Sequence, residues 1–409
     1  VMEYLAASQI LQLIESGTIS ESSAKRLIFG LANTNDRLLK PSMRPVAGWL
    51  SLIRRDIFDA VLEVDPSTLL THGDPESLTD SQRERVLLAF LERYGTGRWR
   101  GLEVPDLQVA RLAQAALSDT ILAAWNRGIE NPEVREILLR LISAGRFRKC
   151  ADLAASVACD AACRDEERFD ALVALSNLGD GRLRAFVEAA VAFAPGWTER
   201  MARWVGTFLY PEHVSDAQLL QLLSNVRVES RRGGDYADSV AGVIQKANLS
   251  TRRLEGLLPG LLALTHSSIE VRDDELVERE GQLQASTILR ALCIRLLEHG
   301  VKSNELIQAS VLALRASEAA TGLRERSTEL RALLDALPLA LRRQIFEADL
   351  ACIALFKSER GVQYRYVRLV YEGALSYTTE RDWQWVIGAL SAPEAAAESH
   401  AVLLRLAVD

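Results

Sequence analysis

Between Asn131 and Val191 the chain carries two helix pairs in succession with nothing between them but helix starts and stops, and this run limits the fold more than any other. Asn131 is a residue type that caps helices, and Pro132 stands where a first helical residue belongs. Val134, Ile137, Leu138, Leu141 and Ile142 recur at the helical period, and Gly145 ends the segment. Phe147, Cys150, Ala154 and Val157 predict a second helix. Phe169, Leu172, Val173 and Leu175 predict a third, closed by Gly179-Asp180-Gly181. Leu183, Phe186, Val187, Ala190 and Val191 predict a fourth. Helices this short are marginal alone, so each must lay its apolar stripe on neighbours. Repeating the unit predicts an all-α chain, an α-solenoid of antiparallel helix pairs with no significant sheet.

The rest of the chain carries the same punctuation. Thr79 with Gln82, and Ser215 with Gln218, have the spacing of a capping box. Trp49, Leu50, Ile53, Ile57, Phe58, Val61 and Leu62 form an apolar face that breaks near Arg54. Asn33 to Pro45 is polar and holds two prolines, which marks a boundary. Arg227 to Asp235 is loop-like, and the charged run from His266 to Gly281 reads as a connector. Pro259 predicts a kink. These breaks divide the sequence into 1–40, 41–233 and 234–409. Aromatics are 6% of the residues, and Leu and Ala are abundant, a balance that favours stacked helices over sheets.

The sequence lacks the patterns that carry common chemistry. There is no Gly-Lys pair, so no phosphate-binding loop, and no Gly-x-Ser-x-Gly elbow. The five histidines (His72, His213, His266, His299 and His400) are isolated. Cys150, Cys159 and Cys163 have no histidine near them in sequence, which reads as small apolar side chains facing a neighbouring helix rather than a metal site. Five scattered cysteines fit a reducing cytoplasm better than a disulfide scaffold. Acidic runs such as Asp165-Glu166-Glu167 and Asp273-Asp274 read as solvated faces. The expectation is a chain without catalytic residues, cofactor or metal. A net charge of −7 without a basic block argues against nucleic acid, despite Arg98-Trp99-Arg100, Arg146 to Lys149 and Arg252-Arg253. No apolar run approaches the roughly 18–20 residues that a membrane span needs.

Two features are suited to recognition. The tip Arg231-Arg232-Gly233-Gly234 offers planar donors that fit carboxylate or phosphate. The other is the aromatic segment Tyr364, Tyr366, Tyr371, Tyr377, Trp383 and Trp385. On a helix Tyr364, Val367 and Tyr371 share one face while Tyr366, Val370 and Tyr377 share another. Both stripes do not fit into one buried layer, and exposed Tyr and Trp are favoured anchors at interfaces.

Met2-Glu3-Tyr4-Leu5-Ala6-Ala7 resembles the (Phe/Gln)-Glu-(Phe/Tyr)-Leu-Ala-Ala motif near the end of the helical part of NACHT-type, STAND-class NTPases. Pro45 to Tyr94 looks like the helical region that follows NACHT modules in many bacterial proteins. Its marks are Val46-Ala47-Gly48-Trp49-Leu50, Phe58 to Pro66 and Leu78 to Arg83. Tyr210-Pro211-Glu212-His213-Val214-Ser215 looks like a joint further along that region, and Arg168 to Val191 is similar to a HEAT-type helix pair. The resemblance spans roughly the first 225 residues. It implies HEAT-like repeats after the end of an upstream NTPase module. It also implies a sensor role: binding a protein trigger, in bacterial antiviral defence often a phage protein, and regulating that module. The alternatives are a free-standing helical-repeat adaptor and a helical enzyme with an unrecognised site.

Overall fold

A computed structural model describes residues 2–31, 37–97, 101–226, 233–272, 275–279, 282–321, 324–354, 367, 369–370, 373–391 and 397–408. Among these residues there are 22 α-helices and two short antiparallel hairpins, so the chain is all-α in class. No helix among them is long and apolar enough to cross a membrane.

Local chemistry sets the helix ends. The Asn131 side chain accepts the Glu133 N–H at the start of α9 (Pro132–Gly145), while its Nδ2 donates to Tyr94 O at 3.0 Å. Thr79 and Gln82 close a reciprocal box at the start of α6 (Asp80–Tyr94), and Ser215 with Gln218 does the same for α14 (Asp216–Asn225). Helix α11 (Asp165–Leu178) ends on Gly179 at φ +66°, a left-handed cap that glycine adopts without strain. Near Arg54 the apolar face does break, into α3 (Arg44–Ile53) and α4 (Arg55–Val64). At Gly48 a Cβ would lie 2.8 Å from the His72 backbone, so only glycine lets α3 approach the turn after α5 (Ser67–Thr71).

By its contacts the chain divides into two units, Val1–Met201 and Ala202–Asp409, the division falling within α13 (Glu199–Phe208). In the first unit alternate helices touch. One row is α1 (Met2–Glu15), α3, α5, α7 (Asp106–Leu112), α9 and α11. The other is α4, α6 and α8 (Leu117–Arg127), which reaches the 3₁₀ turn leading into α10 (Ala151–Cys159). Polar links repeat along these rows, Arg135 to Glu167, Asn177 to Ser143 and Arg182 to Asp152 joining residues 30 to 34 apart, and Asn131 to Tyr94, 37 apart, ties one row to the other. In the second unit α14, α16 (Thr251–Ser268), α18 (Asn304–Thr321) and α20 (Leu339–Ala354) form one row. Beside it run α15 (Gly233–Lys246), α17 (Ala285–Glu298) and α19 (Arg324–Asp335).

The structure corrects several expectations. The polar stretch from Asn33 lies partly within a hairpin, β1 (Phe29–Leu31) on β2 (Arg37–Leu39), and the charged connector holds another, β3 (Ile269–Arg272) on β4 (Glu275–Glu278). Such short strands show no period of their own; the pairing partner defines them. The run Asp165-Glu166-Glu167 is not a plain solvated face, because the Glu167 side chain is fully buried and takes Arg135 at 2.8 Å. Within α11 the fully buried positions include Glu167, Arg168, Ala171, Leu172 and Leu175, with Phe169 and Val173 only half-buried.

Candidate interaction surface

Three arginines hold the helix ends together, and each is the fourth residue of its helix. At that position a side chain leans back toward the helix start and reaches the carbonyls of neighbouring segments. In α6, Arg83 donates to Leu78 O at 3.0 Å, Glu76 O at 2.6 Å, Arg111 O at 2.6 Å and Leu112 O at 2.9 Å. In α11, Arg168 donates to Ala158 O at 3.1 Å and Gly196 O at 2.6 Å, with its guanidinium 4.9 Å over the Trp197 ring. In α20, Arg342 donates to Ser376 O at 3.0 Å and to Asp335 O at 3.3 Å and is clasped by Asp382. Leu112, Ala158 and Asp335 end or nearly end their helices, so the arginines satisfy carbonyls that have no intrahelical partner and oppose the negative helix end. The signal was legible only in part: an arginine one turn after a cap looks like a solvated charge until the partner carbonyls are placed.

Arg342 anchors the aromatic segment. Asp382, in the first turn of α21 (Thr379–Leu390), accepts both Arg342 and the Thr378 N–H at 2.9 Å. It also accepts the Trp385 indole N–H at 2.7 Å. Asp335 takes Arg342 at 3.2 Å, Arg381 at 3.4 Å and the Ser376 N–H at 3.0 Å. Beside this, Asp349 pairs with Arg315 at 2.6 Å and takes the Ala374 N–H at 2.8 Å. Trp385 is thereby turned inward, with its ring 5.6 Å from Phe346 and 6.5 Å from Tyr377. The Tyr377 hydroxyl is buried without a hydrogen-bond partner, and burial pushes its ionisation well above the ordinary phenol range.

Two residues from Trp385, on the opposite face, Trp383 is 50% exposed, and Ile387 is exposed one turn further on. The two are i and i+4 neighbours and form one outward apolar strip. The structure thus divides the predicted aromatic group: Trp383 faces out, Trp385 faces in, and Tyr377 is half-buried. Tyr364, Tyr366, Tyr371, Arg231 and Arg232 lie outside the described residues. Of the basic residues weighed for nucleic acid, Lys149 is held by Asp119 at 2.9 Å and Arg253 by Asp216 at 2.8 Å, with Arg253 also 5.3 Å over the Tyr210 ring.

Grooves cross the helix rows. One of about 390 Å³ spans α16, α18 and α20, with Leu262, Leu312, Ala348 and Ala351 beside Gln308 and Gln344. Two more, of about 540 and about 490 Å³, lie along α4, α6 and α8.

Titration is perturbed within the first groove and away from it: burial pushes the Cys352 thiol, which lines the groove across α16, α18 and α20, up to about 12. Burial, then the Glu136 carboxylate, pushes Asp170 up to about 7, and burial pushes Glu136 up as well. Burial likewise raises Glu278 to about 7, although the Ser286 N–H donates to it. The Cys150 thiol, raised to about 11 by burial, faces Ser118 O, and Cys163 faces Asp160. Among the described residues no three His, Cys, Asp or Glu side chains are grouped to hold a metal ion. Compared with family models, curated proteins and solved structures, the chain matches none.

Proposed function

We propose that this chain is a non-catalytic, cytoplasmic sensor and scaffold region of a bacterial NACHT-type STAND NTPase, built as a HEAT-like α-solenoid. It recognises a protein trigger, of phage origin in a defence setting, and restrains an upstream NTPase module of the same polypeptide. The observation that carries the reading is the packing of alternate helices in rows, tied at intervals of 30 to 34 residues. Stacked helix pairs bury a continuous core and leave extended surfaces for contact. Two exposed apolar strips support two contacts. Met2 and Leu5 on α1, 76% and 53% exposed, suit the upstream module, and Trp383 with Ile387 suits the trigger.

The test begins with the reading frame. A Gly-rich loop ending in Gly-Lys-Ser/Thr, encoded upstream of Met2, is required by the STAND reading. A frame without one refutes it and leaves the free-standing adaptor. In the full polypeptide, Met2→Ser with Leu5→Ser is expected to raise basal ATP hydrolysis. Unchanged hydrolysis would refute the restraint.

A further inference from the structure

Helices α9 and α11 meet along a seam rich in carboxylates. Glu133 and Glu136 stand on α9, and Glu166, Glu167 and Asp170 on α11, at the three- and four-residue spacings that share a helix face. Most of these acids are partnered. Arg135 holds Glu167 at 2.8 Å, Arg164 lies 3.3 Å from Glu136, and Arg200 holds Glu166 at 3.0 Å. Glu133 takes the Leu102 N–H at 2.9 Å, and Arg140 is engaged by Asp106 of α7 and by Val104 O. Half-buried Asp170 has no hydrogen bond or ion pair among the described residues. The charged groups of the other helices packed on α11 are paired elsewhere. Asp152, the one charged side chain of α10, is held by Arg182, and in α12 (Leu183–Val191) Arg184 pairs with Glu188. Of the charges that act on Asp170, Glu136 is the largest, ahead of Arg140, Asp106 and Glu166. Arg164, Glu167, Glu166 and Glu133 act in turn on Glu136.

Two oxygens of the seam, Glu136 Oε1 and Glu167 Oε2, are enclosed and accept no hydrogen bond. A buried acceptor without a donor is costly. A carboxyl that keeps its proton supplies a donor and also removes one of the like charges. We propose that this seam is a pH-sensitive joint: one proton shared by Asp170 and Glu136 holds α11 against α9, and its loss lets the two helices part more readily. The device needs no ligand and stands apart from the recognition reading. Asp170 is raised in the closed seam and returns to the ordinary carboxylate range when the seam opens. The joint is therefore tightest in acid and weakens as pH rises toward 7.

Amide hydrogen exchange, corrected for intrinsic rates, tests it. One linked proton changes an opening constant about tenfold per pH unit, so protection in α9 and α11 should fall roughly a hundredfold from about pH 5 to about pH 7 and level off above. In Asp170→Asn, which keeps the volume and a donor without the charge, this dependence should vanish. In Glu136→Gln it should shrink, because the neighbour that raises Asp170 is gone. Protection independent of pH in the wild-type chain, or the wild-type dependence retained in Asp170→Asn, would overturn the joint. Repeating the exchange in low urea separates a joint from global linkage. The opening of α9 and α11 should show a smaller denaturant slope than global unfolding, since less surface is exposed. An equal slope would mean that the seam opens only when the whole unit unfolds, and would also overturn it.

Discussion

Replacing Arg168 with Met tests whether buried first-turn arginines, rather than surface ion pairs, hold the helix rows together. The side chain is 2% exposed and satisfies two carbonyls, Ala158 O and Gly196 O. Each carbonyl left buried and unpaired costs about 1–3 kcal/mol. Loss of the contact over Trp197 adds about 1 kcal/mol. Release from burying a guanidinium offsets part of this, since Met keeps most of the volume. The expected net loss is about 3 kcal/mol. Arg182 is the contrast: it also makes several hydrogen bonds, to Asp180 and Asp152, but its side chain is 42% exposed. Arg182→Ala is expected to cost less than about 1 kcal/mol. Urea unfolding followed at 222 nm, with amide exchange assigned to α10 and α11, reads both. With a denaturant slope near 2 kcal/mol/M, Arg168→Met should lower the first unit's midpoint by roughly 1.5 M. If the two variants shift the midpoint equally, the carbonyl argument is wrong.

Asp170 is a pH probe. Its folded-state ionisation lies near 7, above the ordinary carboxylate value, so the native state holds a proton that the unfolded chain has released between about pH 4 and 7. Stability therefore falls as pH rises through that window. Asp170→Asn should be more stable than wild type by on the order of 4 kcal/mol at pH 8 and indistinguishable at pH 4; a constant difference at both would exclude the linkage. For the aromatic strip, Trp383→Ala should leave the thermal midpoint nearly unchanged and, on the sensor function proposed above, abolish the response of ATP hydrolysis to a protein trigger. Trp385→Ala, by contrast, should cost about 3 kcal/mol or more in urea unfolding. Equal stability losses would contradict the inward and outward assignment. Gly48→Ala should destabilise by about 1–3 kcal/mol, read by calorimetry, because its Cβ meets the His72 backbone. A neutral result would show that the turn after α5 yields.

The sequence by itself determined the helices and their ends. Asn131 with Pro132, Thr79 with Gln82, Ser215 with Gln218, and Gly179 act through bonds spanning two to five residues, so a short window contains the whole cause. The all-α class follows from such windows repeated. What only the tertiary structure decided is the fate of groups whose partners lie far along the chain. Arg168 and Arg342 look like solvated charges until Gly196, 28 residues on, and Asp382, 40 residues on, close over them. Trp383 and Trp385 are alike in sequence, but a carboxylate fixed by Arg342 draws one inward and leaves the other in water. The two hairpins were hidden for the same reason, since strands of three or four residues exist only by pairing. Helix hydrogen bonds are local and therefore legible, whereas the burial of a charge or a ring is a property of the neighbours that the fold brings to it.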